Sequence, residues 1–241
     1  MTASGLRALH HDRAPGDPLV LPGPWDAASA RAFADAGFRA LATPSAGVAA
    51  SLGYEDGATP ADEMFAAVAR IARSVCVPVS ADIEAGYGLA AGELVERLLV
   101  TGAVGCNLED TVDGVLVDAG RQADRLAAVR AAAGDALFVN ARIDTYVTGV
   151  PDSVDPAAET LRRARLYTAA GADCLYPIAA PAEVFGLLAG ALPGQPLNAL
   201  AVADGPGPRL LGERGATRIT FGPGLLRRAM AAVRDIADGL C

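Results

Sequence analysis

Eight short apolar runs, each followed by a longer stretch of helical periodicity, set the strongest limit on how this chain can fold. The runs are LVLPGPWD (19–26), FRALATP (38–44), VPVSADI (77–83), GCNLED (105–110), ALFVNARI (136–143), DCLYPIA (173–179), PLNALAV (196–202) and TRITFGP (217–223). Strands separated by helices of this length return by crossover, so they pair in parallel rather than as hairpins. Eight such units within 241 residues predict a closed α/β barrel of the (β/α)8 TIM type more than an open doubly wound sheet. The expected organisation is one barrel domain over residues 1–241, with 1–18 as an N-terminal extension and 224–240 as a terminal helix. That last helix is amphipathic, suited to closing the barrel or packing on a second subunit.

Composition narrows the chemistry. All 20 basic residues are arginine, and the two histidines are His10 and His11, adjacent in a polar N-terminal segment. A Schiff-base lysine and a P-loop lysine are therefore excluded. Nucleophilic devices built on histidine would have to recruit that terminal pair. Cys76, Cys106, Cys174 and Cys241 are widely spaced, which suggests neither disulfide nor zinc site; Cys106 and Cys174 read as core. The net charge of −8 and the lack of a basic tract argue against a nucleic-acid partner. No apolar run is long enough to span a membrane, and no secretion signal opens the chain. A soluble cytoplasmic protein is expected.

In such a barrel the reacting groups stand at the C-terminal ends of strands. Those ends carry Trp25-Asp26, Thr43-Pro44-Ser45, Asp82-Ile83-Glu84, Glu109-Asp110, Arg142 with Asp144, Tyr176, Asn198 and Thr220. Asp26 reads first as a helix cap, and Asp110 and Asp144 as caps or partners of Arg142. Capping explains one acid of Asp82 and Glu84 but not both. If the strand persists, these two share a face, with Glu109 on the next strand. Clustered acids repel unless protons or a cation intervene, and oxygen-only ligation suits magnesium or manganese. Arg142, in an otherwise apolar strand, needs anionic partners: either Asp144 or a substrate carboxylate. Gly86 and Gly88 flank Tyr87 and let backbone approach a ligand.

These residues resemble the isocitrate lyase/phosphoenolpyruvate mutase superfamily over about residues 19–235. PGPWDAASARAFADAGFRAL is similar to its opening strand and helix, SLGYEDG to its metal-site loop, and ADIEAGYG to its D-x-D-x-G-Y-G signature, with Glu84 in place of the second Asp. NLED, ARID and TRITFGPGLLRRA follow in matching order. The resemblance implies Asp82 as the principal Mg2+ ligand, Glu84 and Glu109 in its outer shell, and Asp56 nearby. It implies that backbone around Ser45-Ala46 holds a substrate carboxylate while Arg142 neutralises developing charge. Trp25, Gly86, Tyr87 and Asn198 complete the candidate substrate contacts, with Arg142, Glu109 and Asp56 as candidate catalytic residues. Family members grip a small 2-oxo or 2-hydroxy carboxylate and stabilise an enolate as a C–C or P–C bond breaks. They tend to exchange a terminal helix between subunits, so a homo-oligomer is expected.

One departure bears on the reaction. Where the lyase branch has a Lys-Lys-Cys-Gly-His loop and the mutase branch a Lys-Thr-Asn-Ser gate, this chain reads DTVDGVLVDAGRQADR (110–125). Neither motif is present. A reaction that needs only enolate stabilisation, such as decarboxylation of an oxaloacetate-like acid, is the leading expectation. A phosphonate mutase or hydrolase and a non-catalytic ligand-binding relative are the alternatives.

Overall fold

The structure, a computed structural model, describes residues 1–11, 13–14 and 16–240. From the N-terminus the barrel strands are β1 (Leu19–Val20), β2 (Leu41–Ala42), β3 (Val79–Asp82) and β4 (Gly105–Glu109). A small hairpin of β5 (Thr111–Val112) and β6 (Val115–Leu116) precedes β7 (Phe138–Ile143), β8 (Cys174–Pro177), β9 (Asn198–Leu200) and β10 (Arg218–Thr220). The parallel orders β2-β3-β4-β7-β8 and β1-β10-β9 make two curved sheets. Their edges meet where the Leu175 amide donates to the Pro196 carbonyl at 3.0 Å and the Ala42 amide to that of Pro22 at 3.2 Å. These contacts close the (β/α)8 ring that the sequence alternation predicts.

Helices α2 (Ala27–Asp35), α3 (Ser45–Leu52), α4 (Ala61–Ala72), α5 (Ala91–Val100), α6 (Ala119–Ala133), α7 (Pro156–Ala169), α8 (Ala182–Ala191), α9 (Pro208–Glu213) and α10 (Gly224–Asp238) surround it, with α1 (Ala3–His10) at the base. Asp26 is a cap, as expected. Its carboxylate accepts from the Ser29 amide at 2.7 Å, and the Ser29 hydroxyl accepts in return from the Asp26 amide at 3.1 Å, a reciprocal pairing that fixes where α2 begins. None of the described helices is long and apolar enough to cross a membrane.

Alternation along each strand divides the molecule into two environments. Outward residues such as Leu108, Ala141, Ile143, Leu175 and Ile219 are buried against the helices in the main apolar core. Inward residues are polar to an unusual degree for a barrel, whose interior is ordinarily filled by branched apolar side chains. Ser80, Asn107, Asn140, Asn198 and Arg218 are all almost fully buried. Asn140 Nδ2 donates to Asn107 Oδ1 at 2.7 Å, and Arg218 Nη2 reaches the same oxygen at 3.3 Å.

The N-terminal extension departs from its polar reading. Leu6 and His10 of α1 are buried against the lower barrel, and the His10 ring stacks on Phe138 with centroids 4.2 Å apart. Arg7 fixes the helix by donating to Asp173 at 2.8 Å and to the carbonyls of Asp135 and Leu137. Helical spacing of Leu6 and His10 puts both on one face, and that face seals the lower end of the barrel. Cys106 and Cys174 lie in the core, whereas Cys76 is exposed; Cys241 lies outside the described residues.

Candidate active site

Strand register assembles the site. Asp82 pairs with Asn107, Glu109 with Arg142, and Arg142 with Tyr176, so these side chains rise from neighbouring strands toward the C-terminal mouth. Arg142 Nη1 contacts Glu109 Oε2 at 2.6 Å, while Nε and Nη2 grip both oxygens of Asp144 at 2.7 and 3.0 Å. Of the two partners the sequence offers for Arg142, the structure shows Asp144, and it adds Glu109, which the sequence reading does not name as one. Asp110 serves elsewhere. Fully buried, it accepts from Arg163 at 2.9 Å, from the Tyr167 hydroxyl at 2.7 Å and from the Asp144 amide at 2.9 Å, binding β4 to α7 and to the residue that orients Arg142.

Asp82 ends its strand and points toward the start of α3. Its Oδ2 accepts from the Ser45 hydroxyl at 3.1 Å, with the Ser45 amide at 3.5 Å, and Oδ1 accepts from the Glu84 amide at 3.3 Å. The strand does not persist to Glu84, contrary to the shared-face expectation. Glu84 has φ 52° and Tyr87 φ 54°, both left-handed, with Gly86 and Gly88 positive as well. Glu84 therefore reaches the site from a tight turn. Arg125 on α6 braces that turn by donating to the carbonyls of Ala85 and Leu89, each at 3.2 Å.

A cavity of about 240 Å³ opens above these groups, lined among others by Ser45, Ala46, Asp56, Asp82, Arg142 and Arg227. An adjoining space of about 170 Å³ shares Ser45, Asp56 and Arg142 with it and adds Gly57, Glu84 and Glu109. A larger cavity of about 670 Å³ lies beneath the β5–β6 hairpin and includes Tyr87, Glu84 and Glu109 in its wall. Three candidate contacts fall elsewhere. Trp25 lines a separate groove between α2 and α10, edge-on to Phe33. Asn198 is fully buried below the mouth and donates to Thr220. Gly86 is packed against Arg125 and Leu94 rather than open to a ligand. The sequence pattern does not show that Asn198 opens its strand and so lies deep along the axis, or that Trp25 lies well past the end of β1. Asn107, Tyr176, Thr220 and Arg227 line the main cavity; the sequence reading names Tyr176 and Thr220 only as strand-end groups and gives Asn107 and Arg227 no site role. For the first three the signal was present, because each lies an even number of residues from an inward position.

Electrostatics at the mouth is that of crowded acids. Burial raises Glu84 to about 7, reinforced by Asp82 and Asp56. It raises Glu109 to about 8, although Arg142 draws that group down. Asp82 is also raised, by burial foremost and against the pull of Arg142. Arg142 is held firmly charged: burial opposes its charge, and Asp82, Asp144 and Glu109 more than offset that.

A cation would relieve this repulsion. The donor set is oxygen only, and Glu84 Oε1 is buried without a protein partner. Among the described residues no group of three acidic, histidine or cysteine side chains converges tightly enough to hold an ion by itself. Oxygen donors spaced this way leave most of a cation's coordination to water, which a hard cation such as Mg2+ tolerates.

The segment that lacks both the lyase loop and the mutase gate begins with the β5–β6 hairpin. Asp113 and Gly114 at its tip have φ 50° and 76°, the positive values that a two-residue hairpin turn requires. Asp118 caps α6 and Gln122 donates to the Glu109 carbonyl at 3.0 Å, so both are structurally engaged.

Residues 6–241 match the family profile described as phosphoenolpyruvate phosphomutase. Among solved structures, the chain is similar to a candidate phosphonomutase from Burkholderia cenocepacia J2315, at 39% identity and a TM-score of 0.90, covering 99% of this chain and 98% of that one. It is similar to 2,3-dimethylmalate lyase, described as a member of the PEP mutase/isocitrate lyase superfamily, at 31% identity and a TM-score of 0.85 over 100% and 87% of the two chains. Oxaloacetate acetylhydrolase with its product oxalate also matches, at 26% identity and a TM-score of 0.84 over 97% and 84%.

Proposed function

Because this chain belongs to the phosphoenolpyruvate mutase/isocitrate lyase superfamily, whose members are lyases and mutases, we propose that it is a magnesium-dependent carbon–carbon lyase. Its substrate is a small 2-oxo or 2-hydroxy carboxylate, cleaved beside the carbonyl in the manner of an oxaloacetate decarboxylase. The carrying observation is the convergence of Asp82, Glu84 and Glu109 with Ser45 and Arg142 on adjoining cavities. No lysine, and no histidine at the mouth, competes for the chemistry.

Within this reading each residue has a task. Asp82, held by Ser45 and the Glu84 amide, anchors Mg2+ with Glu84 and Glu109, and Asp56 stands near. When bound, the ion supplies the charge that polarises the substrate carbonyl and steadies the enolate. Backbone at Ser45-Ala46 receives the substrate carboxylate at the start of α3, where free amides favour an anion. Arg142 keeps a fixed positive charge beside the reacting carbons, oriented by Glu109 and Asp144. In the assembled protein a second copy covers α10, which has no buried residue here and leaves Met230, Val233 and Ile236 exposed. Helix exchange between subunits would accomplish this.

A phosphonate-bond activity is the second reading, favoured by the phosphomutase profile and the phosphonomutase likeness. The test has two stages. Calorimetric titration with oxalate, an enolate mimic, should give binding that requires Mg2+. Turnover of oxaloacetate against phosphonopyruvate then separates the two enzymes, and binding without turnover of either leaves a ligand-binding relative. Asp82→Ala should lose Mg2+-dependent oxalate binding while keeping a cooperative unfolding transition. If wild-type protein ignores both Mg2+ and oxalate, the proposal falls.

A further inference from the structure

Two cations line the main cavity, and they differ in how far they are already engaged. Arg142 spends three of its nitrogens on Glu109 and Asp144, so most of its donors are already committed where it stands. Arg227, in the first turn of α10, borders the same cavity as Asp82 and Ser45. Among the described residues its side chain makes no hydrogen bond or ion pair. Asp56 and Asp82 in the same wall make this an unwelcoming place for an anion unless an uncommitted positive charge meets it. Its neighbour Arg228 faces another way, into the groove with Trp25 and Phe33.

We propose that Arg227 is a substrate-binding and specificity-determining residue, which takes a carboxylate of the bound acid from the α10 side of the cavity. The proposal rests on the reading of the site as one for small carboxylates, and it gives a role to a residue to which the family resemblance assigns none. A guanidinium presents paired donors that match a carboxylate. It would favour substrates with a second carboxylate over those with a neutral group in its place.

The matched probes are oxalate and oxamate, which differ in one carboxylate replaced by an amide, each titrated with Mg2+ present. Wild-type protein should prefer oxalate. Arg227→Gln should weaken oxalate about tenfold and oxamate at most about threefold, so that the preference narrows. Arg228→Gln, on the other face, should change oxalate binding less than about twofold. Oxalate affinity in Arg227→Gln within twofold of wild type overturns the proposal while leaving the site reading intact. Equal weakening of both probes, or equal loss in the Arg228 variant, also overturns it, since shape or the general field of α10 would then be responsible. Absence of oxalate binding in wild-type protein removes the site reading and this proposal together.

Discussion

His10 offers a sharp test of how the barrel is closed at its base. The ring is 2% exposed, its Nδ1–H donates to the Leu6 carbonyl at 2.7 Å, and its Nε2 is buried with no protein partner. A second ring proton would be stranded there. Burial foremost, with Arg218 next and smaller effects of His11 and Arg13, lowers this histidine from 6.5 to about 3. The folded value lies below the unfolded one, so the unfolded chain takes up the proton first. The stabilising effect is complete above the unfolded value and is lost as pH falls toward the folded one. Between about pH 7.5 and about pH 4.5 this residue alone should cost about 2–3 kcal/mol of stability. Urea unfolding of wild type and His10→Phe at both pH values isolates that share, because other titrating groups are common to the two proteins. Phenylalanine keeps the stacking on Phe138 and loses one hydrogen bond, so the variant should be about 1 kcal/mol less stable near neutrality. In acid the order should reverse. If the stability difference between the two proteins is the same at both pH values, His10 is not sealed as described.

Other consequences follow from single contacts. Gly86→Ala should destabilise by about 1–3 kcal/mol in urea unfolding, since φ is +86° and the new Cβ would stand 2.5 Å from Arg125 Nη2. Arg163→Met should cost about 3–5 kcal/mol by the same assay, because it leaves Asp110 buried without its cation. A loss below about 1 kcal/mol would mean that Tyr167 and the Asp144 amide suffice for that carboxylate.

The barrel was legible because its signal is periodic and repeated: eight runs, each about one strand long, and helices between them with capped ends. The rim acids were legible for the same reason, since strand ends map onto the mouth. What escaped was set by contacts distant in sequence. Helix α1 is short and mostly polar, and its burial depends on Leu6 and His10 meeting Phe138, more than a hundred residues away in the chain. Glu84 was placed on a strand face because nothing in Asp82-Ile83-Glu84 announces a left-handed residue; the turn follows from Arg125 and the Gly86 and Gly88 pair. Trp25 lies past the end of β1 and turns into the groove between α2 and α10, while Asn198 opens β9 and faces the axis below the cavity rather than at its mouth. Arg227 falls in the closing motif TRITFGPGLLRRA at the start of the terminal helix, and nothing in that run says that its side chain turns toward the cavity while Arg228 turns away.

The polar barrel interior has a consequence for handling the protein. Along the axis, His10 stacks on Phe138, the Arg218 guanidinium stands 5.9 Å from the centre of the Phe138 ring, and Arg218 reaches Asn107 in the cavity floor. Base and mouth are therefore linked by one chain of contacting side chains, set among apolar residues such as Leu6, Leu19 and Leu21. A fusion partner or tag that levers the first ten residues away would let solvent in at the bottom and hydrate a guanidinium that now has two unpartnered nitrogens.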